Sequence, residues 1–282
     1  MQAGAEGARA TMGLDHLFFY LALLGYLVGT LHYLLYVWSP RLRVGRMATA
    51  AILVGFGAHT LSHILRIVAF KRPPLGSPYE SLSFFAWAVV LIYLAVELRY
   101  QNRIMGAFVL PIVVLAGTAA AALPSRLAGL SPTVQGIGLW VHMALAIFGN
   151  AAFAVTFCAG VMYLIQERQL KSRQLGRIHF RLPSLELLDD VGVKSILIGF
   201  PLLTLTLISG TLWAEYARGS FLTLRPREVW SVVSWVIYAG LLYARVSAGW
   251  RGRKAAVLAI LGFGLVLFTF IGLKVMKAGL LV

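Results

Sequence analysis

Eight runs of about twenty apolar residues dominate the chain, at roughly 14–38, 47–70, 79–98, 104–123, 138–165, 193–213, 228–245 and 254–275. About 20 residues is the length at which an α-helix crosses the hydrocarbon core of a bilayer. Inside that core every backbone N–H and C=O must find its partner within the chain, and a helix does so segment by segment. The runs therefore predict an all-α polytopic membrane protein, a bundle of about eight transmembrane helices, the seventh being the shortest. With 60% hydrophobic and 12% charged residues among 282, neither an ordinary soluble domain nor a disordered chain fits. The first apolar run is too long for a cleaved signal peptide and no clear cleavage site follows it, so it reads as the first membrane helix.

Lys and Arg placement sets an expected orientation. Arg41, Arg43 and Arg46 follow the first run, Arg99 and Arg103 the third, and Arg168, Lys171, Arg173, Arg177 and Arg181 the fifth. Arg245, Arg251, Arg253 and Lys254 follow the seventh, whereas the alternate connections carry only Lys71 and Arg72, then Arg126, then Arg218, Arg225 and Arg227. Cytoplasmic loops are the basic ones, which predicts both termini and the 214–227 connection on the outer face of the inner (plasma) membrane. The net charge of +15 is then a topology signal plus contact with anionic headgroups, so membrane lipid is an expected partner. No basic face interleaved with base-stacking aromatics is assembled, and no nucleic-acid partner is expected. Cys158, the single cysteine, lies inside the fifth run as a small core residue; neither an internal disulfide nor CxxC chemistry is open to this chain.

The connections are short, which predicts one integral membrane domain over 1–282. The exception is a cytoplasmic loop over 166–192, where Pro183 and Ser184 read as a helix start. Leu185, Leu187 and Leu188 beside Glu186, Asp189 and Asp190 fit a short amphipathic turn on the membrane surface, or a solvated connector. Gly25 and Gly29 form a small-xxx-small step that lets helices approach; glycines elsewhere in the runs serve packing, or make room for a flat ligand.

The residues able to carry chemistry are few. Ionisable groups inside a membrane are costly, which directs attention to the histidines. His59, His63 and Arg66 follow one another at steps of four and three, along one helical face. Two imidazoles on adjacent turns suit one metal or one polar group, and Arg66 suits a carboxylate; the same face also suits a buried hydrogen-bonded network. His142, behind Trp140, reads alone as an interfacial anchor or a metal ligand. His16 stands at the outer end of the first run, His32 nearer its inner end, and His179 in the cytoplasmic loop.

Gly210 to Tyr243 reads GTLWAEYARGSFLTLRPREVWSVVSWVIYAGLLY. Trp213, Gly219, Pro226, Glu228, Trp230, Trp235 and Tyr238 keep the frame of the WWD signature, and the chain resembles the CcsA/CcmC/HemX family of haem-handling membrane proteins. Pro78, Tyr79, Glu80 and Ser81 match the family's proline-then-YES pattern. Ala107–Ala116, Leu182–Asp190 and Gly249–Gly272 are similar too, so the resemblance covers roughly residues 47–275. It implies an external WWD-like loop over 213–230 and haem as cofactor. It also implies that His142, placed before an alanine- and phenylalanine-rich helix, is an external haem ligand. His142, His59 and His63 are thus the candidate metal ligands. Arg66, Trp213, Arg225, Trp230 and Tyr243 complete the candidate cofactor site.

The chain departs from the family pattern at three places. Arg218, Leu222, Leu224 and Arg225 stand where aromatic and acidic residues are expected. Tyr243 replaces a histidine of the seventh helix, and the chain ends without the last external histidine. Indole faces stack a porphyrin; leucines keep the apolar area without the stacking, while Arg218, Arg225 and Arg227 add charge for two propionates or for lipid headgroups. Tyr243 can ligate iron as a phenolate or serve in packing. The resemblance implies haem handling in cytochrome c assembly with a CcsB-like membrane partner, and no catalysis by this chain on its own. Two other readings are a HemX-like regulator contacting a tetrapyrrole-pathway enzyme, and a small-molecule transporter using the His59–His63–Arg66 face.

Overall fold

The structure, a computed structural model, describes residues 2–125, 136–172, 182–219 and 226–268. The described residues form eight helices: α1 (Gln2–Trp38), α2 (Leu42–Phe70), α3 (Pro78–Tyr100), α4 (Gly106–Ala121), α5 (Ile137–Ser172), α6 (Leu185–Arg218), α7 (Pro226–Val246) and α8 (Arg253–Leu267). Gly13–Trp38, α2, α3, α5, Leu185–Tyr216 and Glu228–Val246 are long and apolar enough to cross a membrane. The chain is a multi-pass, all-helical membrane protein. The seventh run, the shortest in sequence, is among the spanning helices. α4, with 16 residues, reaches only about 24 Å, short of a ~30 Å hydrocarbon core. The expected loop over 166–192 is narrower than the composition suggested, because α5 runs on to Ser172 and α6 starts at Leu185. Ser184 caps α6 by accepting from the Leu187 N–H, so the acidic-leucine segment is the first turns of a long helix and not a separate surface turn.

The helices group into two compact units, Met1–Leu130 and Ser131–Val282. In the first, α1 and α2 cross where Gly25 faces Gly55; a Cβ on Gly25 would lie 2.9 Å from the Gly55 Cα. Lipid tails are as apolar as a leucine, so close van der Waals packing of this kind, and not burial from water, is what holds membrane helices together. α3 begins with a capping box: the Glu80 N–H donates to Ser77 Oγ at 3.1 Å, and the Ser77 N–H donates to Glu80 Oε2 at 3.0 Å. Pro78 occupies the first turn, where its missing N–H is harmless.

In the second unit the centre is a flat stack. Phe153 of α5 and Tyr238 of α7 lie face to face, 3.6 Å between centroids and 8° from parallel. Gly199 of α6 covers the Phe153 ring and Gly262 of α8 covers the Tyr238 ring, each so closely that a Cβ would fall within 3 Å of the aromatic carbons. The flat groups these two glycines accommodate are the protein's own side chains. α6 and α7 run antiparallel, tied at mid-length by Trp235 Nε1 donating to Thr204 Oγ1 at 2.9 Å and near one end by Arg245 on Asp189 at 2.8 Å.

Candidate functional site

The His59–His63–Arg66 face exists as expected and points into the first unit. All three residues are buried, and the two imidazoles stack at 4.7 Å. His59 has both ring nitrogens engaged, Nδ1 with the Tyr26 hydroxyl at 3.1 Å and Nε2 with Ser83 Oγ at 2.9 Å. Phe19 closes edge-on over the same ring. His63 leans on Phe84 and Trp87, and its Nε2 is buried without a hydrogen-bond partner. Arg66 uses all three guanidinium nitrogens. Its Nε donates to Glu80 Oε1 at 2.7 Å, one terminal nitrogen to Asp15 Oδ2 at 2.6 Å, and the other to the Ser125 carbonyl at 2.9 Å. Arg72 adds a second cation on Glu80. Of the two roles open to this face, the geometry describes the network: Arg66 neutralises two carboxylates that are each 1% exposed.

Asp15 is the residue that sequence reasoning missed. It stands at the start of the first apolar run, and a lone carboxylate there signals a buried cation elsewhere. A second buried network was likewise missed at the other end of the unit. Glu97 accepts from the Tyr33 hydroxyl at 2.6 Å, the Tyr93 hydroxyl at 2.5 Å and Thr49 Oγ1 at 2.7 Å, with Arg103 at 3.6 Å. On α2 the two networks lie between Thr49 and Arg66, a rise of about 26 Å, so each sits near one margin of the hydrocarbon core.

The second unit holds the other candidates. His142 lies in the second turn of α5, half-buried against the end of α6. Its Nδ1 is 3.0 Å from the Thr206 carbonyl oxygen and 3.1 Å from Ser209 Oγ. A carbonyl can only accept, so Nδ1 carries a proton and donates it to Thr206. Histidines that ligate metals are commonly oriented this way, with the other ring nitrogen donating to a carbonyl. Gly210 makes the approach possible, since a Cβ there would fall 2.9 Å from His142 Cε1.

Trp213 is on α6, one turn beyond Ser209, and Trp230 is in the first turns of α7, its ring edge-on to Phe268. Both thus belong to helix ends and not to a loop, while Arg225 lies outside the described residues. Tyr243 is not brought to this end. The antiparallel pairing of α6 and α7 sets it level with about Ile196, some 18 Å along the axis from the Thr206–Gly210 level of His142. Its side chain is 70% exposed, facing away from the unit's interior. His32 is exposed, its Nδ1 donating to the Val28 carbonyl, His16 packs on Tyr79, and His179 lies outside the described residues. Among the described residues no group of three or more His, Cys, Asp or Glu is placed to hold a metal ion.

Residues 75–281 match the Cytochrome C assembly protein family. The "Cytochrome c biogenesis protein CcsA" of Prochlorococcus marinus is 34% identical over 244 residues, 78% of this chain and 79% of that protein. The chain belongs to the cytochrome C assembly family. The protein of the same name from Pyropia yezoensis is 28% identical, covering 84% of this chain and 86% of its own length. Among solved structures, "Cytochrome c Heme Lyase CcmF" superposes with a TM-score of 0.68 at 18% identity, over 96% of this chain. This chain spans half (50%) of that larger one, and the likeness is one of fold. The family match begins at Leu75. It takes in Glu80, His142, Trp213, Arg225, Trp230 and Tyr243, and leaves His59, His63 and Arg66 ahead of it.

Proposed function

We propose that this chain is a haem-handling membrane protein of cytochrome c assembly, presenting haem at the outer face of the inner membrane with a CcsB-like membrane partner. The observation that carries the reading is His142. A histidine inside the family match, with Nδ1 donating to the Thr206 carbonyl of another helix, has the orientation common to histidines that ligate metals. The donor set fits haem better than a bare ion, since among the described residues His142 is joined by no cluster of further ligands, while haem offers a large apolar face for aromatic side chains such as Trp213 and Trp230. Haem, when bound, supplies the redox-active iron and the group to be attached. The chain's own part would be to orient the imidazole through Ser209 and Thr206. Catalysis of attachment by this chain alone is not part of the proposal. His59 and Arg66, whose polar atoms are engaged, are assigned to the scaffold, and Tyr243 to the exposed face of α7.

The name of the relatives favours assembly over tetrapyrrole regulation. The segment proposed for contact with a pathway enzyme is partly consumed within the unit, where Asp189 accepts from Arg245 and from the Gly252 N–H. The transporter reading loses its site, because Arg66 is occupied by its own carboxylates.

The test is the visible spectrum of protein purified from haem-replete cells, oxidised and reduced. A Soret band with haem approaching one per chain is expected, reduced to a small fraction in His142→Ala and partly restored in His142→Gly by added imidazole. Protein without haem under these conditions, or an unchanged spectrum in His142→Ala, would remove the proposal.

A further inference from the structure

The seam between α5 and α6 closes on glycines, and one of them does something other than bring helices together. Gly149 of α5 lies against α6 backbone, where a Cβ would sit 3.4 Å from the Gly199 carbonyl oxygen and 3.4 Å from the Leu203 nitrogen. Gly199 of α6 gives its space to the Phe153 ring, which a Cβ would approach to 2.7 Å. Small residues at such levels let two membrane helices pass almost backbone to backbone. His142 stands seven positions before Gly149 on α5, about 10 Å along the axis, and the closeness extends to it.

At that level Gly210 of α6 faces an imidazole. A Cβ on it would lie 2.9 Å from His142 Cε1, 3.3 Å from Nδ1 and 3.8 Å from Nε2, so this edge of the ring rests on a bare Cα. One turn back along the same face of α6, the Thr206 carbonyl accepts from Nδ1 at 3.0 Å, and Ser209 Oγ is 3.1 Å from the same nitrogen. The Ser209 hydroxyl donates to the Thr206 carbonyl at 3.2 Å, which turns its lone pairs toward the ring. Two separate constraints result. The hydrogen bond places a proton on Nδ1, and an iron bond of such a ring is made through Nε2. The seat on Gly210 fixes where the ring lies, and with it the direction in which Nε2 points.

The sterics also decide what gives way when the seat is filled. At Gly199 the obstructing ring is Phe153, 0% exposed and stacked face to face on Tyr238, so the helices themselves must part. At Gly210 the three nearest atoms all belong to the His142 ring, the far end of a half-buried side chain that can rotate. A methyl group at position 210 therefore displaces the imidazole and leaves the helices in place. We propose that Gly210 is a positioning residue for the haem ligand, holding the His142 ring on the Thr206 carbonyl so that Nε2 meets iron in one orientation; this rests on the reading of His142 as a haem ligand given above.

The experiment compares parent, Gly210→Ala and Gly240→Ala proteins of full length in nanodiscs, with histidine labelled at its ring nitrogens. Gly240 of α7 has nothing within 4 Å of its missing Cβ, so its substitution shows the general effect of alanine for glycine in a spanning helix. His142→Ala assigns the His142 signals. In the haem-free protein the nitrogen spectrum is expected to show Nδ1 protonated in the parent and in Gly240→Ala, and a changed His142 ring in Gly210→Ala. In the haem-loaded protein Gly210→Ala is expected to weaken haem binding by about tenfold or more. Its reduction potential is expected to rise, because an imidazole that has lost its carbonyl acceptor is the poorer donor to ferric iron. Gly240→Ala is expected to leave both near the parent. The thermal midpoint of haem-free protein completes a cycle: Gly210→Ala is expected to lower it in the parent, and not in the His142→Ala background, where no ring occupies the seat. An equal fall in both backgrounds makes Gly210 a packing residue and overturns the proposal. A His142 spectrum or a haem affinity that Gly210→Ala leaves unchanged, or that Gly240→Ala changes as much, overturns it too. A parent that takes up no haem removes the reading on which the proposal rests. That failure is distinguishable from a failure of the seat, because the ring spectrum and the midpoints are measured without haem.

Discussion

Single residues decide this molecule where a charge lies in hydrocarbon. Arg66 is 3% exposed and holds Asp15 and Glu80, both at 1%. Two carboxylates left without it have no water to turn to. Replacing one partner of a buried pair costs about 3–5 kcal/mol, chiefly from the charge left unpaired. Arg66→Leu is therefore expected to lower the thermal midpoint far more than Arg72→Leu, because Arg72 is more exposed and Glu80 keeps Arg66. Equal midpoints for the two variants, measured in the same detergent, would contradict that account. The spacing of four and three between His59, His63 and Arg66 made their common face readable. The partners were not readable, since Asp15 is 51 residues away from Arg66 and Ser125 is 59. A helix periodicity reports which side chains share a face and nothing about what meets them.

At the scale of elements, glycines set how closely helices pass. Gly55 of α2 lies under α1, where a Cβ would be 3.1 Å from the Ala22 carbonyl oxygen. Gly57, two residues on, has open space around it. Opposite signs follow: Gly55→Ala is expected to destabilise by forcing α1 and α2 apart, while Gly57→Ala is expected to be neutral or to stabilise by up to about 1 kcal/mol through helix propensity. Thermal unfolding of both variants checks the contrast, and a midpoint falling equally in the two would refute it. The runs of apolar residues located the middle of each helix, although α6 begins 8 residues ahead of its run and α5 ends 7 beyond its own. The ends were less legible. Pro226, read as part of the loop, is the first residue of α7, where its fixed φ and absent N–H suit a helix start. The PYES motif became intelligible only with the fold: Glu80 closes the α3 capping box and at the same time anchors Arg66 and Arg72.

For the whole molecule, the expected orientation puts Ser39 and Ser247 on the cytoplasmic side and Gly138 outside. The only native thiol, Cys158, is buried, and a Cys158→Ala background gives a clean start. Ser39→Cys and Ser247→Cys should then resist a membrane-impermeant maleimide in intact cells and react after permeabilisation, whereas Gly138→Cys should react at once. The reverse pattern would invert the topology and move His142 to the inner face, where the outer presentation of haem could not hold.

Composition and apolar run length were enough to determine a multi-pass helical protein, because a bilayer offers the backbone so few solutions. The basic loops gave an expected orientation for the same kind of reason, a field acting on charge regardless of fold. Motif spacing in the 210–243 block and at Pro78–Ser81 was enough for the family. Only the tertiary structure showed which polar residues are engaged with one another and which helix meets His142. Arg66 and His59 carry the more suggestive sequence pattern, yet their donors and acceptors are spent on distant neighbours. His142, a lone histidine beside a tryptophan, has the carbonyl of a different helix to set its proton. The side-chain pairing that makes the difference crosses from helix to helix, and no order of residues along one chain encodes it locally.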